Sequence, residues 1–279
     1  MDSSITFLGS GGGRQVMTSQ LRGTGGIILN LQKTQIHLDP GPGSAVFAKL
    51  YNIDLSKTSV ILTSHHHIDN CNDLNLAIDS ITLGGKIQKG TLIITNEVLD
   101  KVLTKHHENL VEKLIIINKL NQDNQVSEII KEINLPGIKI VPTKTKDHCG
   151  GFGFKFITAN YVIGYTSDTA YFASLPGQFK DCNILIINNM YSFNIKEPSK
   201  NHLSSLDSLN LIQKLKSYAK LKLVILTHFG TEIIASDPIY DARKLTKETG
   251  VQVIAAADGM SIDPVNYAVT NSQKSLGDY

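Results

Sequence analysis

The chain has 279 residues, of which 41% are hydrophobic and 19% charged, and its formal charge is +2 from 27 basic and 25 acidic residues. This composition is globular and excludes a disordered chain. The balanced charge excludes a bulk nucleic-acid or membrane binder, although it leaves a local basic patch open. No apolar run approaches the roughly 20 residues of a membrane span, and the start lacks the basic and apolar regions of a secretory signal. The three cysteines have no CxxC spacing, which predicts reduced thiols in a cytoplasmic protein.

Short apolar runs rich in β-branched residues predict strands along the whole chain, since each is four to eight residues long and is bounded by turn-forming residues. In chain order the predicted strands are Ile5–Leu8, Gly26–Leu31, Gln35–Leu38, Val60–Thr63, Thr91–Thr95, Leu114–Asn118, Ile138–Val141, Phe152–Thr158, Tyr161–Tyr165, Ile184–Asn188, Leu221–Thr227 and Val251–Ala256.

Helical spacing of apolar residues lies between some of these strands. The predicted helices are Asp73–Ile81, Asn96–Leu110, Leu206–Ala219 and Pro238–Glu248. We expect Ser204 or Ser205 to cap the third helix, while Asp237 and Gly250 bracket the fourth. Strands that alternate with helices indicate a layered α/β fold, which we assign to one domain over 1–265 with a polar tail over 266–279. The stretch from 84 to 135 has the weakest pattern.

Residues of the types that bind metal ions stand where several predicted strands end. They are Asp39, the segment His65–Asp69, His148, Asp168 and His228. The carboxyl ends of strands in open α/β sheets face the crevice where ligands bind. Side chains two apart on an extended segment point to the same side, so His65 and His67 should face together, Asp69 should continue the alternation, and His66 should point away. Imidazole with carboxylate suits Zn, Fe or Mn.

The segment TSHHHIDN, from Thr63 to Asn70, resembles the HxHxDH motif of the metallo-β-lactamase fold superfamily. Further motifs follow in that superfamily's order: Asp39 in IHLDPGPGS, His148 in DHCGGFGFKF, Asp168 in GYTSDT and His228 in LTHFG. The resemblance extends from Ile5 to about Gly259. It implies an α/β fold built as a four-layer αββα sandwich, with one or two metal ions along one sheet edge.

By this resemblance, a first metal ion is held by His65, His67 and His148. A second ion is faced by Asp69 and His228, and Asp168 bridges the two. Asp39 and Asn70 are assigned to positions beside the ligands. Asn70 is a departure, because the family usually has a histidine there; an amide oxygen favours a harder ion such as Mn or Mg, or single-metal occupancy. We expect one or two divalent ions, with zinc first and Mn or Fe as alternatives.

Within the superfamily, the chain resembles the ribonuclease Z and phosphodiesterase branch. The resemblance rests on ITFLGSGGGRQ, HLDPGPGS, LTHFG, and His202 in SKNHLSS. It implies a metal-dependent hydrolase acting on phosphodiesters, in which the metal lowers the pKa of a bound water to give hydroxide. Asp69 would orient that water or accept its proton, and His202 would protonate the leaving oxygen or hold the phosphate.

Arg14 and Arg22 flank a glycine-rich opening and are expected to bind substrate phosphate. The run Gly9–Gly13 is either a phosphate cradle or a simple turn. Two other functions stay open, namely hydrolysis of a carboxylic ester, lactone or thioester, and non-catalytic metal or ligand binding with a degenerate second metal site. The substrate partner would be a nucleic acid or a small phosphodiester, no membrane partner is expected, and a homodimer is left open.

Overall fold

The computed structural model describes residues 3–120, 126–195, 200–218 and 220–271. The chain divides into two compact units. Unit 1 lies within Met1–Ser10, Arg22–Ile130 and Ala257–Tyr279, and unit 2 lies within Gly11–Leu21 and Lys131–Ala256. The assignment of 1–265 to one domain stays a prediction.

Strands and helices succeed one another through both units. The strands are β1 (Ser4–Phe7), β2 (Ile27–Leu31), β3 (Thr34–Leu38), β4 (Thr58–Leu62), β5 (Thr91–Ile94), β6 (Lys113–Ile116), β7 (Asn118–Leu120), β8 (Val126–Ile129), β9 (Ile133–Leu135), β10 (Ile138–Lys144), β11 (Phe152–Ile157), β12 (Val162–Tyr165), β13 (Ile184–Tyr191), β14 (Leu203–Ser204), β15 (Leu223–Thr227), β16 (Gln252–Ala255), β17 (Met260–Ile262) and β18 (Val269–Asn271). The helices are α1 (Arg14–Ser19), α2 (Ser44–Leu50), α3 (Ile68–Cys71), α4 (Leu74–Ile81), α5 (Asn96–Lys101), α6 (Lys105–Glu108), α7 (Leu175–Gln178), α8 (Ser205–Lys216), α9 (Thr231–Ala235) and α10 (Pro238–Thr249).

Unit 1 contains a mixed sheet with the strand order β18-β17-β1-β2-β3-β4-β5-β6. Neighbours from β18 to β3 are antiparallel, and β3 to β6 are parallel. Helix α4 buries Leu74, Ile78 and Ile81 in one apolar cluster with Ile61 and Leu92 of the parallel strands. Strands β3 and β4 are parallel, and Leu38 lies opposite Leu62. The carboxyl ends of the two strands are therefore at the same edge of the sheet.

Unit 2 contains a second mixed sheet with the order β16-β15-β13-β12-β11-β10-β9, and β14 pairs with β13. Strands β12, β13, β15 and β16 are parallel, so their carboxyl ends also share one edge. Helices α8 and α10 bury Leu211 and Leu245 in a cluster with Leu185 and Val224 of the sheet. This packing fixes the edge at which β12, β13 and β15 end.

Each predicted strand has a counterpart in the structure, and each unit combines a mixed sheet with helices, so the α/β class is confirmed. The helix caps are also as expected. The Ser204 hydroxyl accepts from the Asp207 amide in a capping box, and Asp237 accepts from the Ile239 amide. Gly250 ends α10 with a left-handed φ of 70°.

The prediction of one helix over Asn96–Leu110 is wrong, since the chain forms α5 and α6 there. The backbone leaves helical geometry at Val102, where φ is −123°, and the Thr104 hydroxyl accepts from the His107 amide to begin a new helix. Strand β18 extends the sheet past the predicted tail boundary at 266, and residues 272–279 of that tail lie outside the described residues, as does Ala219 of the third predicted helix. Over the described part of the chain, no helix is both long and apolar enough to cross a membrane.

Candidate metal centre

The histidine segment of unit 1 follows β4 and leads into α3. His65 is 1% exposed, and its ring lies edge-on to that of His67 with centroids 4.8 Å apart. His66 contacts another part of the unit, because its Nε2 lies 3.2 Å from the Lys101 Nζ. Asp69 and Asn70 are buried in the first turn of α3. The rings of His65 and His67 therefore lie together, as the alternation of side chains predicts. The prediction that Asp69 continues this alternation is wrong, because the helix begins at Ile68.

Asp39 orients His65 through Ser64. One carboxylate oxygen of Asp39 accepts from the Ser64 amide at 2.6 Å, and the other accepts from the Ser64 hydroxyl at 2.8 Å. Since that hydroxyl proton is already donated, the Ser64 oxygen accepts from His65 Nδ1, 2.9 Å away. The neutral His65 ring then presents Nε2 as the electron-pair donor, which is the form that binds a metal ion.

Asn70 lies against the nitrogen of His65 that would bind metal. Its Nδ2 is 3.4 Å from His65 Nε2, and its side chain is 3% exposed. The residue that departs from the family motif is thus buried next to a predicted metal ligand in unit 1. Burial, with smaller effects of Asp39 and Asp69, raises the pKa of the neighbouring Cys71 thiol to about 12, and this thiol donates to the His67 carbonyl oxygen at 3.1 Å.

In unit 2, Asp168 lies at the centre of three imidazoles. Its Oδ2 is 3.2 Å from His228 Nε2, 3.4 Å from His148 Nε2 and 3.8 Å from His202 Nδ1. The Asp168 side chain is 1% exposed, and so is that of His148. Imidazole nitrogens gathered on one buried carboxylate oxygen form a donor set that suits a divalent cation such as zinc.

His148 is oriented by the backbone. Its Nδ1 lies 3.1 Å from the carbonyl oxygen of Asn201, which can only accept, so in the neutral ring Nδ1 carries the proton and Nε2 faces Asp168. Asp147 and Cys149 on either side have φ values of 57° and 47°, which turn the chain sharply around the histidine. Cys149 is exposed, whereas His148 is buried.

Asn188 is a residue of this cluster that the sequence reasoning missed. Its Nδ2 donates to Asp168 Oδ1 at 2.7 Å and to the Tyr165 hydroxyl at 3.1 Å, and it is 2% exposed. The hydrogen bond from Asn188 fixes Oδ1 of Asp168, so that the other oxygen, Oδ2, faces the histidine rings. The sequence does contain a signal for Asn188, because Asn188 and Asn189 place two side-chain amides within an otherwise apolar, buried strand.

The glycine-rich opening makes room for His228. A Cβ on Gly12 would lie 2.1 Å from His228 Cδ2, so only glycine allows the ring to sit there. The Gly12 amide donates to the Phe229 carbonyl oxygen at 3.0 Å, so this N–H already has a hydrogen-bond partner within the protein. Close packing against His228, which was neither of the two predicted interpretations, accounts for Gly12.

The two arginines have different surroundings. The Arg22 Nη1 donates to the Ser10 hydroxyl at 2.9 Å in unit 1. That hydroxyl in turn donates to Asp258 Oδ1 at 2.7 Å, and Asp258 Oδ2 accepts from the Gly23 amide. Arg14 begins α1 of unit 2 with an exposed side chain, and it lines a pocket together with His202. Arg22 thus takes part in a hydrogen-bond network of unit 1, and Arg14 lines a pocket of unit 2. Substrate binding by Arg14 and Arg22 stays a prediction.

Comparisons with known proteins give sequence relatives and solved structures of similar fold. No protein-family model matches the chain. The uncharacterized protein MJ1374 of Methanocaldococcus jannaschii is 30% identical over 272 residues, covering 95% of this chain and 97% of that protein. Ribonuclease Z of Borreliella afzelii is 22% identical over 326 residues, covering 94% of this chain and 97% of the ribonuclease. Among solved structures, the metallo-β-lactamase fold protein YhfI of Bacillus subtilis matches with a TM-score of 0.74 at 16% identity, covering 94% and 99% of the two chains.

Proposed function

The chain belongs to the same family as MJ1374 of Methanocaldococcus jannaschii and has the metallo-β-lactamase fold, and from this premise we propose that it is a metal-dependent phosphodiesterase. The observation that carries the proposal is the buried cluster of unit 2, in which Asp168 Oδ2 lies 3.2, 3.4 and 3.8 Å from nitrogens of His228, His148 and His202. The similarity to ribonuclease Z supports a phosphodiester substrate.

The proposed metal ligands are His65, His67, Asp69, His148, Asp168 and His228. The oriented rings of His65 and His148 support this assignment, because each presents Nε2 as the donor atom. We propose zinc as the metal, since imidazole and carboxylate are its usual ligands. A bound divalent ion would lower the pKa of water and neutralise charge on the phosphoryl oxygens.

Two side chains would handle protons in this proposal. Asp69 would orient the attacking water and accept its proton, as the resemblance implies. His202 would donate a proton to the leaving oxygen, because its ring lies beside Asp168 yet is 15% exposed on the side of a pocket. Asn188 would hold Asp168 in place through its 2.7 Å hydrogen bond without touching the substrate.

The phosphodiester is favoured over a carboxylic ester by the surroundings of His202. The pocket beside it is lined by the charged residues Arg14 and Glu232, which an acyl chain would have to desolvate. A guanidinium instead forms charge-assisted hydrogen bonds with phosphate oxygens. We therefore keep Arg14 as the proposed phosphate contact.

The proposal is tested by metal analysis together with a substrate panel. Protein purified without chelators should contain about one or more equivalents of transition metal, and bis(4-nitrophenyl) phosphate should be hydrolysed faster than 4-nitrophenyl acetate or a lactone. Clear esterase activity without phosphodiesterase activity under zinc, manganese, iron or magnesium would contradict the proposal. Bound metal without hydrolysis of any substrate would favour the non-catalytic alternative.

The role of His202 is tested by H202A. Loss of a general acid should lower kcat by roughly 10²–10⁴ while metal content is retained, and the loss should shrink for esters with good leaving groups. H106A is the matched control, because His106 is exposed on α6. An equal loss for good and poor leaving groups would assign His202 to positioning instead of proton donation.

A further inference from the structure

A pocket of about 390 Å³ adjoins His202 in unit 2. It lies between the start of α1, the end of β13 and the start of α9, and its lining includes Gly13, Arg14, Met190, Tyr191, Thr231 and Glu232. This volume is at the small end of the roughly 300–1,000 Å³ that ligand pockets span. The pocket therefore suits one nucleoside-sized group next to His202, and not a long polymer segment.

Met190 is an apolar lining residue of this pocket, and its side chain packs against Gly13 and Gly230. Gly13 has a φ of 81°, and a Cβ there would lie 3.3 Å from Met190 Cε. At Gly230 a Cβ would lie 2.7 Å from Met190 Sδ. The thioether thus occupies space that side chains at both positions would take, and a thioether packs well against a flat ring.

Tyr191 adds an aromatic edge next to the candidate acid. Its ring stands at 76° to that of His202, with centroids 6.3 Å apart. A planar group resting on Met190 would therefore be bordered by an aromatic ring on the side of His202. Aromatic and thioether surfaces are sequence-tolerant contacts for nucleobases, which all have a flat π-face.

The charged groups of the pocket add selectivity. Arg14 and Glu232 have opposite charges and both are exposed to solvent. A guanidinium binds phosphate oxygens, whereas an ionised carboxylate only accepts hydrogen bonds and so selects a ligand with N–H donors. Cytosine presents its N4 amino group to such an acceptor, while uracil has a carbonyl oxygen at that position, which a carboxylate repels, and keeps only the neighbouring N3–H as a donor.

We propose that this pocket binds the sugar and base of a single nucleotide, and that Glu232 selects bases with an exocyclic amino group over uracil. The placement of the phosphate beside His202 rests on the proposed function. Selection by Glu232 does not, because it depends on the pocket alone. Arg14 holds the phosphate, Met190 supports the base, and Glu232 accepts from the amino group.

The direct test is equilibrium binding, which does not depend on catalysis. Calorimetry on the full-length metal-loaded protein should show that cytidine 5′-monophosphate binds about tenfold more tightly than uridine 5′-monophosphate, the effect of one hydrogen bond to a charged group. E232Q should bring the ratio close to one, because the glutamine amide both donates and accepts. E248Q, which changes an exposed carboxylate on α10 outside the pocket, should keep the wild-type ratio.

Catalysis separates this inference from the proposed function. Cytidine and uridine 5′-(4-nitrophenyl) phosphates should show the same preference in kcat/KM. E232Q should lose this preference, and E248Q should keep it. Equal binding of the two monophosphates, absence of binding, or an unchanged ratio in E232Q would overturn the pocket assignment even if phosphodiesters are hydrolysed. Selective binding of the cytidine nucleotide without hydrolysis would instead overturn the phosphodiesterase proposal and support the pocket.

Discussion

His37 should make the stability of the protein depend on pH. This residue lies in β3 with Ile28 and Ile61 as its cross-strand neighbours, and it is 1% exposed. Its Nε2 lies 3.0 Å from the Gly25 carbonyl oxygen and donates to it. Burial lowers the pKa of the imidazole from 6.5 to about 4, although this hydrogen bond and the nearby Asp73 act in the opposite direction. The ring is therefore neutral in the folded protein at neutral pH.

The magnitude follows from the difference between the folded and unfolded pKa values of His37. Below pH 6.5, His37 is protonated in the unfolded chain, whereas in the folded protein it is protonated only below about pH 4. Above pH 6.5, His37 therefore does not reduce the free energy of unfolding. As the pH drops from 6.5 to about 4, protonation of His37 in the unfolded chain lowers that free energy. At about 1.4 kcal/mol per pKa unit, the loss from this group is about 3 kcal/mol.

The assay is urea denaturation followed by circular dichroism at a series of pH values. H37Q keeps a donor for the Gly25 carbonyl but cannot titrate, so between about pH 7 and pH 4 it should lose about 3 kcal/mol less stability than wild type. H106Q, at an exposed position of α6, should behave as wild type. Equal pH dependence in wild type and H37Q would show that protonation of His37 does not cause this loss of stability.

Three further substitutions address the metal site. N188A removes the 2.7 Å bond to Asp168, so metal affinity measured by chelator competition should fall about 10- to 100-fold; unchanged affinity would show that Asp168 needs no such support. G12A should displace the His228 ring and weaken metal binding, whereas G177A, whose Cβ meets nothing within 4 Å, should not; equal metal content in both variants would contradict the packing role of Gly12. N70H should give a tighter second binding event in metal titration of the apoprotein, and identical titration curves would place Asn70 outside the metal shell.

Strand ends that carry histidine or aspartate could be recognised from sequence because the signal is local. A buried apolar run such as Val224–Thr227 predicts a strand, and His228, which follows directly, is then predicted to lie at the end of that strand. The alternation that brings His65 and His67 together likewise depends only on neighbouring residues, but it ends where α3 begins at Ile68. The order of these motifs along the chain then identified the fold.

The features that sequence reasoning missed depend on pairing between distant segments. Asn188 meets Asp168 only because β12 and β13 are parallel neighbours in a particular register. Gly12 is required only because Phe229, more than 200 residues later, pairs with the glycine-rich segment. Contacts between segments so far apart in the sequence cannot be predicted from a local pattern of residues. The break between α5 and α6 has a different cause, since helical spacing continues across it while the Thr104 cap restarts the helix.

The pairing of β1 with β17 has a consequence for how the protein is made. The Thr6 and Ser261 hydroxyls lie 2.9 Å apart although 255 residues separate them, and the backbone of β1 pairs with β17 on the side away from β2. During synthesis, β1 leaves the ribosome long before β17, so this edge of β1 stays uncovered until the residues between the two strands have been made. Contacts of such long sequence separation form slowly, and an uncovered strand edge invites pairing with other chains. Truncation before Met260 should therefore yield a protein that aggregates, and a circular permutant that places β17 directly before β1 should fold faster than the natural chain.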